Sequence, residues 1–139
     1  MGEAILVTGG AGYIGSHACK ALAAAGYVLV TYDSLVTGWR DAVGFGPFEP
    51  GDLRDRDRLD AVIAAHNPVA VMHFAALSNV GEASRDPALY WDNNVIGTLR
   101  LAQAVAAAGV RHLVFSSTCA TYGDQDGVML DETCPQRPE

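Results

Sequence analysis

A glycine-rich segment near the start of the chain has the residue types and spacing of a phosphate-binding loop. Gly9, Gly12 and Gly15 are spaced as G-x-x-G-x-x-G, directly after the apolar run Ala4–Thr8. Glycines at this spacing permit a tight turn in which backbone N–H groups approach a diphosphate closely, and the helix that follows adds a partial positive charge at its N-terminus. The pattern predicts a dinucleotide site.

An acidic residue at the end of the next apolar run indicates which dinucleotide fits. Asp33 ends the run Tyr27–Asp33. A carboxylate at this position accepts hydrogen bonds from the ribose hydroxyls of the adenosine and repels a 2′-phosphate. The sequence therefore favours NAD over NADP. Arg40 follows nearby, but we interpret it as a surface charge and not as a partner for a 2′-phosphate.

Length and composition exclude several other classes of function. The chain has 139 residues, of which 50% are hydrophobic and 18% charged, and this balance predicts one globular domain. A net charge of −7 argues against a nucleic-acid-binding face. No apolar run approaches the ~20 residues of a membrane span, and no signal peptide is recognisable. Three cysteines without metal-ligand spacing complete the expectation of a cytoplasmic protein with reduced thiols and no metal site.

Strand-like and helix-like segments alternate along the chain and must position these residues. The predicted strands are Ala4–Thr8, Tyr27–Asp33, Pro47–Gly51, Val69–Phe74 and His112–Ser117. The predicted helices are Tyr13–Ala25, Asp55–His66 and Pro87–Ala108, the last one bent near Asn93–Gly97. This alternation predicts an α/β fold, a Rossmann-like doubly wound parallel sheet with the strand order 3-2-1-4-5.

Longer motifs extend the pattern over almost the whole chain. They are VTGGAGYIGSH at 7–17, YDSL at 32–35, GDLRD at 51–55, HFAAL at 73–77, VGEAS at 80–84, YWDNNVIGT at 90–98 and FSSTCATYGD at 115–124. With these motifs the chain resembles the extended short-chain dehydrogenase/reductase family and, within it, the UDP-glucose (UDP-galactose) 4-epimerases.

The resemblance implies a set of NAD-binding residues that lie at or after the carboxyl ends of strands, or on a flanking helix, where ligands bind in open α/β sheets. They are Gly9, Gly12, Tyr13, Ile14 and Gly15 at the diphosphate, Asp33, Ser34 and Leu35 after the second strand, Asp52 and Leu53 after the third, Phe74, Ala75, Ala76 and Leu77 after the fourth, and Asn93 on the long helix. The Asp52 carboxylate is implied to bind the adenine amino group, and the Asn93 side chain to brace the cofactor side of its helix.

The resemblance also implies a catalytic set, of which the chain carries one member. Thr118 matches the serine or threonine after the fifth strand, whose hydroxyl would bond the 4-oxygen of the sugar as charge develops there. The alternative is that Thr118 ends a strand and caps a turn. The family's Tyr-x-x-x-Lys pair has no match, because the only lysine is Lys20 and Tyr122 is followed four residues later by Asp126.

The missing Tyr-x-x-x-Lys pair predicts that these residues are only part of an enzyme. We expect residues 1–118 to form an incomplete NAD-binding domain and residues 119–139 to be a polar segment that leads towards the missing pair. The C-terminal strands and the substrate domain are expected to be missing from these residues, which alone would be inactive. Without a sixth strand beside it, the fifth strand would be an exposed apolar edge that promotes association.

The expected function is NAD-dependent epimerisation at C4 of a UDP-hexose, UDP-glucose or UDP-galactose, by transient hydride transfer through a 4-keto intermediate. This chain would be the cofactor-binding half. The implied partners are a UDP-sugar and, by resemblance, a second copy of the chain in a homodimer, with no nucleic acid and no membrane. Two alternatives remain open: a catalytically silent NAD-binding module, and an epimerase that acts on another sugar nucleotide.

Overall fold

Five strands form one parallel sheet in the computed structural model, which describes residues 2–124, 127 and 129–138. They are β1 (Ala4–Thr8), β2 (Val28–Asp33), β3 (Phe48–Pro50), β4 (Ala70–His73) and β5 (His112–Phe115). Their order across the sheet is β3-β2-β1-β4-β5, and every neighbouring pair is parallel. The predicted fold class and strand order are therefore confirmed.

Helices connect the strands and lie on both faces of this sheet. They are α1 (Tyr13–Ala24), α2 (Arg56–His66), α3 (Val80–Arg85), α4 (Pro87–Tyr90) and α5 (Gly97–Ala107), with a π-helical segment (Trp91–Ile96) between the last two. The predicted bend near 93–97 falls at the end of this π-helical segment. Helix α3 is an addition to the prediction: Asn79 caps it by accepting a hydrogen bond from the Glu82 N–H at 3.1 Å.

Alternating side chains of the strands give the sheet two buried faces. In β1, Leu6 joins the larger core cluster, which includes the helix residues Leu59 and Leu101, while Ile5 joins a smaller cluster around Cys19 of α1. This period of two is what a strand covered on both faces requires. The two core clusters fix the sheet from both faces. The carboxyl ends of β1, β2 and β4, which are neighbours in this parallel sheet, therefore lie together at one edge of the molecule.

Strand β5 is less well covered than the other strands. It pairs only with β4 among the described residues, and Leu113, Val114 and Phe115 are all exposed. Beyond β5, the predicted polar segment 119–139 contains a short 3₁₀ turn (Cys119–Tyr122), and its residues 125, 126, 128 and 139 lie outside the described part of the chain. None of the helices that the structure describes is both long enough and apolar enough to cross a membrane.

Candidate functional site

A cavity of about 680 Å³ lies at the carboxyl ends of the strands. It is bordered by the segments that follow all five strands. Of the predicted cofactor-binding residues, the structure brings the following together in its wall: Gly9, Gly12, Tyr13, Ile14, Gly15, Asp33, Ser34, Asp52, Leu53, Phe74, Ala75, Ala76, Leu77 and Asn93. Leu35 and the predicted catalytic residue Thr118 are not part of this wall.

The glycine loop is a tight turn that backbone hydrogen bonds hold in place, one within the loop and one to β2. The Gly9 N–H donates to the Tyr32 carbonyl oxygen at 2.9 Å, and the Gly12 N–H donates to the Gly9 carbonyl oxygen at 3.0 Å. Gly9 has a φ of +75°, which favours glycine. A Cβ atom on Gly15 would lie 2.1 Å from the Gly9 carbonyl oxygen, so the loop and α1 can pack in this way only with glycine at 15.

The first turn of α1 opens into the cavity. Its N-cap residue is Gly12, and among the described residues no side chain caps this terminus; the first turn also carries no acidic residue. Tyr13 and Ile14 line the cavity beside it. Helix N-terminal N–H groups and the helix dipole attract anions. A loop without room for a Cβ atom, followed by an uncapped helix terminus, fits a diphosphate.

Asp33 at the end of β2 fastens the glycine loop. Its Oδ2 atom accepts a hydrogen bond from the Ala11 N–H at 3.0 Å, and its Oδ1 atom accepts one from the Leu35 N–H at 2.8 Å. Leu35, with a φ of +59°, thus orients the carboxylate although it does not line the cavity. Each carboxylate oxygen can accept a second hydrogen bond, so Asp33 keeps the capacity to bind ribose hydroxyls.

The loop after β3 carries a charged cluster, of which the sequence predicted only Asp52 as a site residue. Arg54 donates from Nε and Nη2 to the Asp52 carboxylate, at 2.9 and 2.7 Å, and from Nη1 to Asp92 of the π-helical segment at 3.0 Å. Hydrogen bonds from Arg54 hold the pKa of Asp52 below its ordinary value. Asp52 is therefore a fixed, ionised acceptor in the cavity wall.

The segment after β4 is held by the π-helical segment. Asn94 donates from Nδ2 to the Leu77 carbonyl oxygen and accepts at Oδ1 from the Leu77 N–H, both at 2.9 Å. Asn93, the residue named by the motif, lines the cavity and donates to the Asn94 side chain at 2.8 Å. The hydrogen bonds to the segment after β4 are therefore made by Asn94, which the motif did not indicate, and the role of its neighbour Asn93 towards the cofactor stays a prediction.

The His73 side chain is buried between β1, β4 and α5. It is 2% exposed and shares hydrogen bonds with the Thr8 hydroxyl through Nδ1, at 2.6 Å, and with the Thr98 hydroxyl through Nε2, at 2.9 Å. Burial lowers the pKa of His73 to about 4, so the ring is neutral near pH 7. The two threonines satisfy both ring nitrogens, and His73 holds the strand ends in place.

The segment after β5 places two serines, and not Thr118, in the cavity wall. Ser116 and Ser117 line the cavity, and the Ser116 N–H donates to the His73 carbonyl oxygen at 3.0 Å. The Thr118 hydroxyl accepts a hydrogen bond from the Ala120 N–H at 3.2 Å and caps the 3₁₀ turn. Both serines belong to the motif at 115–124. The signal in the sequence that indicates them as cavity residues is their position directly after the end of a strand.

Nothing in the described part of the chain points to a metal centre. Within those residues, no group of three or more His, Cys, Asp or Glu side chains could hold a metal ion. The three cysteines are free: Cys19 is buried, Cys134 is half-buried and Cys119 is exposed. The cavity wall combines glycines and apolar side chains with a few polar groups, among them Asp33, Asp52 and Asn93, and this mixture suits a nucleotide ligand.

Comparisons with known proteins agree with this geometry. The sequence model described as the NAD dependent epimerase/dehydratase family matches residues 5–139. A protein of Rhizobium meliloti (strain 1021) named UDP-glucose 4-epimerase is 58% identical over 134 residues, which cover 96% of this chain and 41% of the relative. A protein of the same name from Klebsiella pneumoniae is 43% identical over 137 residues, with 93% of this chain and 99% of the relative in the match.

Solved structures show the same arrangement of the chain. The UDP-glucose 4-epimerase of Brucella ovis, in complex with NAD, superposes with a TM-score of 0.90 at 46% identity, over 99% of this chain and 42% of that one. The enzyme of Stenotrophomonas maltophila, with bound NAD and formylated UDP-arabinopyranose, has a TM-score of 0.89 at 42% identity, over 97% of this chain and 43% of that one. The chain thus spans about two fifths of the length of these two structures and of the Rhizobium meliloti relative.

Proposed function

The chain belongs to the NAD dependent epimerase/dehydratase family, and we propose that it is the NAD-binding part of an enzyme that epimerises a UDP-hexose at C4. The observation that carries the proposal is the cavity at the strand ends, where the glycine loop, the uncapped terminus of α1 and the Asp33 carboxylate lie together. Relatives named UDP-glucose 4-epimerase support the reaction, and neighbours solved with NAD support the cofactor.

The proposed position of NAD follows the chemistry of the cavity wall. The N–H groups of the glycine loop and α1 would hold the diphosphate, and Asp33 would bind the adenosine ribose. Asp52 and Leu53, which line the cavity past Asp33, would border the adenine. The segment that begins at Phe74 and the serines after β5 would border the nicotinamide.

When bound, NAD would supply the hydride acceptor and donor for a transient oxidation of sugar C4 to a 4-keto group and for its reduction from the opposite face. The residues of this chain bind and orient. Because the Thr118 oxygen accepts a hydrogen bond from the Ala120 N–H, its own proton is available for donation to the sugar 4-oxygen. As the hydride leaves C4, a base must also take the proton of the 4-hydroxyl group, and it returns this proton when the hydride comes back. A tyrosine can act as this base near neutrality only if its pKa lies below the ordinary value of about 10.

This chain does not carry the expected base. None of its five tyrosines is followed by lysine at the fourth position, and the only lysine is Lys20 in α1. We therefore propose that these residues bind NAD without turning over a sugar nucleotide. In the complete enzyme, a Tyr-x-x-x-Lys helix that follows residues 119–139 would supply the base, and further C-terminal residues would supply most of the sugar-nucleotide pocket.

Two finer points of the proposal concern partners. The sugar need not be glucose or galactose, because one neighbour, from Campylobacter jejuni, is described as a UDP-Glc/GlcNAc 4-epimerase and has a TM-score of 0.88 at 33% identity.

A homodimer is supported by exposed apolar side chains on the π-helical segment and α5, namely Trp91, Val95 and Leu99. Such side chains on neighbouring turns could pack against a second copy.

The proposal is tested by titration of the chain with NAD and NADP in a calorimeter. We expect NAD to bind and NADP to bind more weakly by roughly tenfold or more, because Asp33 repels the 2′-phosphate. A coupled assay with UDP-galactose should show no conversion by this chain. Absence of NAD binding at saturating concentration would overturn the proposal. A longer polypeptide that binds NAD, carries no Tyr-x-x-x-Lys pair and shows no turnover would instead favour the silent module.

A further inference from the structure

Arg54 joins two walls of the cavity. Its guanidinium bonds Asp52, which follows β3, and Asp92, which lies 40 residues further along in the π-helical segment. Arg54 and Asp52 both line the cavity. The hydrogen bonds to Asp52 and, to a smaller extent, to Asp92 raise the pKa of Arg54 above its ordinary value, so the guanidinium stays charged. One cation therefore organises two carboxylates at this end of the site.

The geometry around Asp52 leaves it little freedom. Its Oδ1 atom accepts from the Arg54 N–H and Nε, at 2.8 and 2.9 Å, and its Oδ2 atom accepts from Nη2 at 2.7 Å. The backbone is fixed as well, because the Asp52 carbonyl oxygen accepts from the Tyr32 hydroxyl at 2.7 Å and from the Asp55 N–H at 3.0 Å. A carboxylate has about four lone-pair sites, so Oδ2 retains one for a ligand.

We propose that Arg54 is a positioning residue for base selection: by fixing the Asp52 carboxylate, it makes the cavity prefer a dinucleotide whose purine carries an exocyclic amino group over one that carries an oxo group. The inference rests on the proposed binding of NAD and on the course of the adenine past Asp33. It assigns Arg54 no contact with the base itself. Its effect passes through Asp52.

The preference follows from the chemistry of donors and acceptors. An amino group donates to the fixed carboxylate in a charge-assisted hydrogen bond, whereas an oxo group would place two acceptors against each other. If Arg54 loses its planar, two-pronged contact, Asp52 can rotate away or take up a proton. Asp52 and Asp92 then also lose the cation between them, and the acceptor no longer has a defined direction.

The test compares NAD with nicotinamide hypoxanthine dinucleotide, which has an oxo group in place of the adenine amino group. Calorimetry on the chain should show that NAD binds more tightly by roughly tenfold or more, the range expected for one hydrogen bond to a charged group. In Arg54→Gln the ratio of the two dissociation constants should fall to within about threefold. Arg54→Lys keeps the charge but not the planar fork, and its ratio should fall likewise.

A matched control is available on the next helix. Arg56 forms an ion pair with Asp60 at 2.8 Å and does not line this cavity, so Arg56→Gln should leave the ratio unchanged. Circular dichroism checks that each variant is folded, and if the glutamine variant unfolds, the lysine variant supplies the readout. A purely structural role would weaken both dinucleotides equally and leave the ratio intact.

The outcomes separate this inference from the proposed function. If the unaltered chain binds neither dinucleotide, the proposed function fails. If it binds both equally well, or if both Arg54 variants bind NAD and keep the full ratio, the inference on Arg54 is overturned while the binding of NAD stands. Loss of the ratio in the Arg54 variants alone supports the inference.

Discussion

The side-chain amide of Asn94 bonds the backbone of Leu77 in both directions, as donor and as acceptor, at 2.9 Å each. Leu77 lies four residues beyond the end of β4, so its backbone is outside the ladder of the sheet. The amide takes the place of a neighbouring strand and holds the segment that follows β4 at the cavity wall. The widened turn of the π-helical segment carries the asparagine that does this.

Replacing Asn94 should loosen this segment. Asn94→Ala removes two hydrogen bonds to backbone groups, and we expect a loss of about 1–3 kcal/mol in the free energy of unfolding. Hydrogen exchange at the Leu77 amide should become faster. The matched variant Asn93→Ala removes a bond between side chains only and should leave that amide protected. Equal protection of Leu77 in both variants would contradict the role of Asn94.

Gly15 should not tolerate even a methyl group. In Gly15→Ala the Cβ atom would meet the Gly9 carbonyl oxygen at 2.1 Å, so the loop must shift, at an expected cost of about 2 kcal/mol or more. Binding of NAD should weaken as well, because the loop N–H groups move. Gly44→Ala is the control, since no atom lies within 4 Å of its added Cβ, and thermal unfolding should change little. Similar melting temperatures for both variants would refute this reading.

His73 should make the folded chain sensitive to acid. Its pKa is lowered to about 4 by burial, against about 6.5 in the unfolded chain. Between these values the unfolded chain binds a proton that the folded chain does not, so stability is complete above about pH 6.5 and falls as the pH drops towards 4. The expected loss from this group is about 2–3 kcal/mol at pH 4.5.

The measurement is urea unfolding at pH 7.5 and pH 4.5. His73→Gln retains a donor and an acceptor for the two threonine hydroxyls but cannot titrate. The carboxylates titrate in both proteins, so the difference between them isolates His73. We expect the unaltered chain to lose about 2–3 kcal/mol more than the variant on acidification. Parallel losses would show that burial does not keep this ring neutral.

The exposed side chains of β5 should promote association of the chain. Val114→Lys places a charge on this edge strand, and we expect it to increase the monomer fraction in sedimentation velocity, since charges on edge strands oppose strand pairing. Val80→Lys is the control, because Val80 is exposed on α3, away from the sheet. If the unaltered chain is already a monomer at high concentration, the edge does not act in this way.

The sequence predicted the sheet well because its signal is local. Strand runs such as Ala4–Thr8 are apolar throughout, and alternation with helices restricts the order of parallel strands to few choices. The glycine loop was equally clear, because its spacing reflects steric demands within seven residues. In the structure, Gly15 packs directly against the Gly9 backbone, as this steric requirement predicts.

Partners distant in the sequence could not be predicted in the same way. The contact of Asn94 with Leu77 depends on a π-helical turn, which has no periodic signal in the sequence. The hydrogen bond from Arg54 to Asp92 joins residues that are 38 apart. Thr118 was expected at the reacting sugar, and in the structure its hydroxyl caps a turn outside the cavity wall, so its catalytic role stays a prediction.

The two backbone contacts of Asp33 have a consequence for protein engineering. Because an acidic residue here disfavours a 2′-phosphate, a change of preference from NAD to NADP would require a neutral or basic residue in its place. Here the same carboxylate also anchors Ala11 of the glycine loop and Leu35 of the turn after β2. A basic side chain accepts neither hydrogen bond and an amide keeps only one acceptor oxygen, so every such exchange would release at least one of the two anchors and disturb the loop that holds the diphosphate site.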